Sequence, residues 1–307
     1  MAETNIAWAD RVWNPTRGCS RTGTPGCDNC YAERQAIRFK DGTYKGLVRS
    51  TRLGPRWTGE VAVVPDKFDE PLRIPQRGKA RARIFVDSMS DFFHEKLSAQ
   101  DLEPIWKTMK EADWHDFLIL TKRPENIVDR LPSDWGTGYR NVWLGVSVEN
   151  QECAEKRIPV LLNVPAAVHW LSCEPLLGPL DLRKWLPPPA WRTHWVGGAS
   201  SWATPEGKAI AGEPMRWCSW IVAGGESGPR ARMCNIDWLA DIVEQCKAIG
   251  LPCFIKQLGA APFAPVKQLQ VGAFKNTNFG VEVKLKDRKG ENPDEWPQEL
   301  RVREFPK

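Results

Sequence analysis

Three cysteines near the start of the chain, Cys19, Cys27 and Cys30 in Gly18-Cys-x7-Cys-x2-Cys-Tyr31, can hold a metal centre without closing it. A structural zinc takes four protein ligands, and an iron–sulfur cluster that only carries electrons takes four cysteines. Three thiolates leave one coordination position open, and an open position is where chemistry happens. Two other readings stand beside this one. A Cys-x2-Cys pair is also half of a zinc knuckle, whose other half would be a Cys or His at suitable spacing. His94, His115, His169 and His194 all lie more than sixty residues beyond Cys30, and Cys153, Cys173, Cys218, Cys234, Cys246 and Cys253 form no second Cys-x2-Cys. A fourth ligand would have to arrive through the fold. Reduced thiols without metal are the remaining reading.

The elements that must position such a centre alternate along the chain. Short apolar runs rich in β-branched and aromatic residues occur at 83–87, 116–121, 141–147, 168–173, 220–224 and 252–256, as suits strands buried on both faces. Helical patterns lie between them, at Ala99 to Ala112, Pro124 to Leu131, Gln151 to Leu162 and Asp237 to Ile249. This alternation predicts an α/β fold with parallel strands and outer helices, a TIM-like (β/α) barrel, complete or partial. Adding strands at Asn5 to Val12 and Gly59 to Val64 brings the count to the eight of a complete barrel. The expected organisation is a barrel over 1–259, with a Pro/Gly/Trp-rich insertion at 187–217, and an extension over 260–307. The charges at Lys284 to Lys289 read as a solvated face of that extension.

Each clear strand ends in polar residues. The tips carry Asp87, Ser90 and Asp91, then Lys122 and Arg123, then Ser147, Glu149 and Asn150. They continue with Cys173 and Glu174, Gly224, Gly225 and Glu226, and finally Lys256. Barrel sites assemble at the carboxyl ends of strands, so these tips are expected around one mouth. Asp87, Asp91, Glu174 and Lys256 are candidates for substrate orientation or proton transfer. Cys173 could donate a hydrogen atom, although a buried inert thiol is the commoner state. Gly224-Gly225-Glu226 would bring backbone and a carboxylate close to a ligand.

Composition limits the partners. The nine cysteines are an odd number, and no apolar run approaches membrane-spanning length. We expect a cytoplasmic chain with reduced or metal-bound thiols and no membrane partner. The net charge of +5 permits a polyanionic partner, and sixteen tryptophans offer surfaces for base stacking if any are exposed.

The motifs Trp13-Asn-Pro15, Gly18-Cys19, Gly26-Cys-Asp-Asn-Cys-Tyr-Ala-Glu-Arg34, Ile84-Phe-Val-Asp-Ser-Met-Ser-Asp91, Leu120-Thr-Lys-Arg-Pro124, Leu144-Gly-Val-Ser-Val-Glu-Asn-Gln151, Ser172-Cys-Glu-Pro-Leu-Leu-Gly178, Gly224-Gly-Glu-Ser-Gly228 and Lys256-Gln257 resemble the phage and bacterial three-cysteine-motif proteins of unknown function. That family in turn resembles radical S-adenosylmethionine (radical SAM) enzymes. The resemblance implies that Cys19, Cys27 and Cys30 ligate a [4Fe–4S] cluster whose fourth iron binds the methionine part of SAM. One electron then cleaves SAM to a 5′-deoxyadenosyl radical, which takes a hydrogen from the substrate. It also implies an electron donor such as flavodoxin or ferredoxin.

On that reading Lys122 and Arg123 would hold the SAM carboxylate. Ser147, Glu149 and Asn150 would take ribose hydroxyls or the methionine amine, and Gly224, Gly225 and Glu226 would line the same mouth. The chain departs from the usual radical SAM spacing, with seven residues between its first two cysteines, and its Gly-Gly-Glu lies on a late strand. Three functions follow: a radical SAM enzyme acting on a nucleic-acid base or nucleotide, one acting on a peptide or small metabolite, or a non-catalytic metal-bound nucleic-acid-binding phage protein.

Overall fold

The computed structural model describes residues 1–76, 81–188, 192–196, 199–203, 217–265, 276–277 and 280–306. Seven parallel strands with flanking helices give a partial TIM-like (β/α) fold. In chain order they are β1 (Arg11–Trp13), β2 (Ala82–Val86), β3 (His115–Thr121), β4 (Val142–Ser147), β5 (Val168–Cys173), β6 (Trp220–Gly224) and β7 (Cys253–Gln257). Every residue of β4, β5 and β6 is buried. This is why these strands read as unbroken apolar runs rather than as alternating ones.

The chain divides into two compact units. One is Met1–Val146 with Val160–His169, and the other is Ser147–Pro159 with Trp170–Lys307. In the first, β1 pairs with β2 (Trp13 opposite Val86), β2 with β3 (Val86 opposite Ile119) and β3 with β4 (Thr121 opposite Val146). In the second, β5 pairs with β6 (Cys173 opposite Ala223) and β6 with β7 (Ala223 opposite Ile255).

The helices are α1 (Tyr31–Ala36), α2 (Ala99–Glu111), α3 (Gln151–Leu162) and α4 (Ile236–Lys247). Ser98 and Asp101 form a reciprocal capping box at α2, and Leu102, Ile105, Trp106 and Met109 bury one face at helical spacing. Asn235 caps α4 by accepting from the Asp237 N–H at 3.0 Å.

Two expected elements differ. Gly59 to Val64 yields only Val61–Val63, which pairs antiparallel with Thr16–Gly18 and is not a barrel strand. It is three residues long, partly exposed, and followed closely by Pro65. Pro124 to Leu131 forms two 3₁₀ turns, Pro124–Asn126 and Val128–Arg130. The segment is short between two prolines, and the Asn126 side chain donates to the Phe93 carbonyl at 2.9 Å.

The terminal segment is built into the second unit rather than appended to it. Its backbone meets β7 through Ile255 N–H to Val302 O (2.8 Å) and Glu304 N–H to Cys253 O (2.9 Å). Trp296 and Leu300 are buried, and Phe305 packs against Trp220 and Phe254. Of the insertion at 187–217, an antiparallel pair, Arg192–Val196 with Ala199–Ala203, is described, and much of the rest lies outside the described residues.

The tryptophans whose side chains are described are structural. No tryptophan whose side chain is described is exposed. Trp13, Trp106, Trp114, Trp135, Trp220 and Trp296 donate their indole N–H to the carbonyls of Lys67, Arg130, Ile74, Pro165, Glu304 and Gly290. Each ring fills core while its one polar atom fastens a loop. Among the tryptophans whose side chains are described, packing and loop fastening, the commoner use of an indole, leave none exposed for stacking on bases.

Candidate active site

In the first unit, the tip of β2 holds the cysteine-bearing segment residue by residue. The Asp87 N–H donates to Trp13 O (2.8 Å), and its carboxylate accepts from the Thr16 N–H (3.1 Å) and hydroxyl (2.8 Å). Ser88 donates to the Asn14 side chain at 3.1 Å, and its carbonyl accepts the Tyr31 hydroxyl at 2.6 Å. Met89 O accepts the Gly18 N–H at 3.3 Å, and Ser90 donates to Gly18 O at 2.7 Å. Gly18 has φ +87°, and a Cβ there would sit 2.2 Å from Glu60 O, so only glycine fits.

Asp91 and Arg123 complete this attachment. Asp91 accepts from the Thr121 hydroxyl (2.6 Å), the Lys122 N–H (3.1 Å) and Arg123 Nη1 (3.0 Å). Arg123 also reaches Glu95 (2.8 Å), the Ser20 carbonyl (2.9 Å), the Ser20 hydroxyl (2.7 Å) and Cys19 Sγ (3.8 Å). Its fork is thus engaged by its own chain, where it fixes Ser20 and Cys19. Partial burial works against ionisation of Glu95, but bonds from its own N–H and from Ser20, with the Arg123 charge, hold its carboxyl down to about 2.

The thiols lie in this setting. Cys19 and Cys30 pack against a buried cluster of Ala32, Ala36, Tyr44, Trp57 and Met89. Burial pushes the Cys19 thiol up to about 12; Asp91 adds to the rise, while Arg123 opposes it. Burial likewise raises Cys30, against the pull of the Glu33 N–H and the Lys122 ammonium. Cys19 donates to Ser20 O at 3.2 Å, and Cys27 Sγ lies 3.4 Å from the Thr22 hydroxyl. Among the described residues no three His, Cys, Asp or Glu side chains converge as a finished metal site. The donor set nonetheless fits a thiolate-held group in kind: three thiols on one pinned segment, with a cation beside Cys19 and another beside Cys30.

Glu33, to which the sequence reading gave no role, anchors this segment. It is buried and accepts from Arg21 (2.7 and 3.1 Å), the Trp57 N–H (3.0 Å) and Arg56 (3.5 Å). It therefore ties the cysteine loop, α1 and the hairpin Val48–Thr51/Gly54–Trp57 together. An acid three residues after Cys30 was its only signal in the sequence.

Asp87 is unusual in two respects. Its φ of +60° lies in the left-handed region, sparsely used by non-glycine residues. Burial, opposed by the Thr16 hydrogen bonds, pushes its carboxyl up to about 8.

In the second unit each tip acid has its own cation. Glu149 is fully buried and accepts from Arg157 at 2.8 Å, while Arg157 also donates to Ser147 O at 2.6 Å. Cys153 lies against Glu149, and burial together with that carboxylate raises its thiol to about 11. Asn150 accepts the Cys153 N–H at 2.9 Å, at the start of α3. Glu226 takes a two-pronged bond from Arg232 (2.7 and 3.0 Å) and the Arg232 N–H (2.9 Å), which closes the loop after β6. Glu149, Asn150 and Glu226, expected to bind a cofactor, are thus engaged in holding local structure.

Glu174 and Lys256 meet at 3.1 Å, both partly exposed. Gly224 leaves room for them, since a Cβ there would lie 3.1 Å from Glu174 Oε1. Gly225 makes the adjacent turn, where a Cβ would fall 2.2 Å from Leu258 O. Cys173 is completely buried, and burial near Cys253 and Glu174 pushes its thiol far above the usual range.

No curated protein matches the chain. Among solved structures, a spore photoproduct lyase variant is similar over 96% of this chain and 74% of that one, with 11% identity and a TM-score of 0.39. A family model described as "Protein of unknown function (DUF5131)" matches residues 3–296, nearly the whole length, and the chain belongs to that family.

Proposed function

We propose that the chain is a radical SAM-type iron–sulfur enzyme acting on a nucleic-acid base or nucleotide, supplied with electrons by a small carrier such as flavodoxin or ferredoxin. The observation that carries this reading is the attachment of the three-cysteine segment to the tip of β2 by each residue from Asp87 to Ser90, with Asp91 reaching it through Arg123. Cys19, Cys27 and Cys30 would hold a [4Fe–4S] cluster with one position left for SAM. Bound in this way, that pair supplies one-electron reductive cleavage of the sulfonium.

The chain's own groups do the positioning. Ser90 fixes the Gly18 backbone before Cys19 and Arg123, itself held by Asp91, fixes the Ser20 backbone after it, while Lys122 brings a positive charge to Cys30, which favours the thiolate a metal needs. Glu33 keeps Arg21 and the hairpin against the loop. In the second unit Glu174 and Lys256 form a partly exposed tip pair, suited to orient a substrate or move a proton.

Single replacement of Cys19, Cys27 or Cys30 by Ala is expected to abolish both iron retention and 5′-deoxyadenosine formation from SAM in anaerobically purified protein. Retention of either activity or cluster by all three variants would contradict the assignment.

A further inference from the structure

The geometry points to a single-stranded nucleic-acid docking face on the first unit, formed by Phe39 and the exposed cations Arg38, Lys40, Lys45, Arg49 and Arg52. This deepens the substrate half of the reading above, and rests on observations that do not involve the metal.

Charge comes first. Residues 17–57 carry nine Lys and Arg against three Asp and Glu, an excess larger than the +5 of the whole chain, so the remainder is slightly acidic. Part of this charge is used internally: Arg21 and Arg56 pair with Glu33, and Arg17 lies over the Tyr44 ring at 5.7 Å. The five named cations are all exposed, and none has an ion-pair partner among the described residues. Even with exposed Asp41 beside Lys40, such an excess of cations attracts a polyanion.

Apolar exposure falls in the same place. Four of the six exposed large hydrophobic residues among those described are Tyr31 (50%), Ile37 (40%), Phe39 (44%) and Leu53 (64%). Phe39 is the outermost ring of a packed series, 5.0 Å from Tyr44, which lies 6.2 Å from the buried Trp57. A ring held in one orientation and open to solvent is a stacking platform for a base. Flanked in the chain by exposed Arg38 and Lys40, it suits alternating bases and phosphates better than a lipid surface, which would favour a broader apolar face. Duplex DNA keeps its bases stacked internally, so the platform favours a single strand.

The face adjoins the thiols. The cluster that holds Tyr44 and Trp57 is the one against which Cys19 and Cys30 pack. The arginine hairpin is fixed to it through Arg56 and Glu33, and Arg49 lies directly across the strands from Arg56. A strand bound over Phe39 would be read next to the cysteine centre.

The test is fluorescence anisotropy of a short unstructured oligonucleotide, as DNA and as RNA, and of its duplex, across a salt series with the full-length protein. Single-strand binding is expected, with log K falling against log salt by about 0.7 per neutralised phosphate, a slope near −3.5 for five contacts. Replacing Arg38, Lys40, Lys45, Arg49 and Arg52 together by Gln should reduce that slope by about 3, and Phe39→Ala should weaken single-strand binding about five-fold or more at unchanged slope. A control replacing exposed Lys107, Lys156 and Arg183 by Gln should bind as the parent does. No salt-dependent binding, undiminished binding by the five-site variant, or preference for the duplex would overturn the proposal. So would binding to phosphatidylserine vesicles without binding to the oligonucleotides. Binding needs neither SAM nor reductant, so its loss with SAM cleavage intact sinks this face alone, and the reverse sinks the enzyme reading alone.

Discussion

The polar strand tips of the two units solve different problems. In the first, one arginine is shared: Arg123 serves Asp91, Glu95, Ser20 and Cys19 at once, and the tip of β2 grips a segment some seventy residues away in sequence. In the second, charges are paired one to one: Glu149 with Arg157, Glu226 with Arg232, Glu174 with Lys256. A shared hub makes a loop rigid, because releasing any one partner strands the others. Separate pairs can be given up singly, and Glu174–Lys256 is accessible enough to be given up to a ligand.

That contrast can be broken by removing one cation at a time. Arg123→Ala should cost about 3–5 kcal/mol, because Asp91 would remain buried beside an empty space. Arg157→Met should cost a similar amount by leaving fully buried Glu149 uncompensated. Lys256→Met should change stability by only about 0–1 kcal/mol, since a partly exposed pair is screened by water, while lowering turnover at least roughly ten-fold if it orients substrate. Urea unfolding of the three variants checks the ranking; a cost for Lys256→Met as large as the other two would erase the distinction between the buried cations and the accessible pair.

A further effect is a pH slope. Asp87 holds its proton in the folded chain up to about 8, whereas an unfolded Asp releases it near 3.9. Between these values the native state binds the extra proton, so this residue makes stability fall as pH rises from about 4 to about 8. Below that window it contributes nothing. Asp87→Asn should flatten the decline, measured as unfolding free energy at pH 5 and pH 8. An unchanged slope would mean that the carboxyl is ionised in place.

Much of this was legible in the sequence. Six of the seven parallel strands show as buried apolar runs, and their tips mark the polar residues correctly. The function of those residues was not legible. Asp87 to Asp91 reads as a row of mouth groups, but hydrogen bonds to residues 13–20 across the fold leave no periodic trace, so its role as a cradle emerges only in three dimensions. Glu33 was hidden for the same reason: its partners Arg21, Arg56 and Trp57 come from three separate segments. Sixteen tryptophans allowed either packing or base stacking; those whose side chains are described fill core or fasten loops, and the exposed rings in the basic region are Tyr31 and Phe39. Only packing distinguishes those two uses of an aromatic side chain.

The most direct test of the three-thiol centre is its content and chemistry. Anaerobically purified protein should contain about four iron and four sulfide per chain, and should convert SAM to methionine and 5′-deoxyadenosine after reduction with dithionite. A colourless protein containing zinc that leaves SAM intact would contradict it.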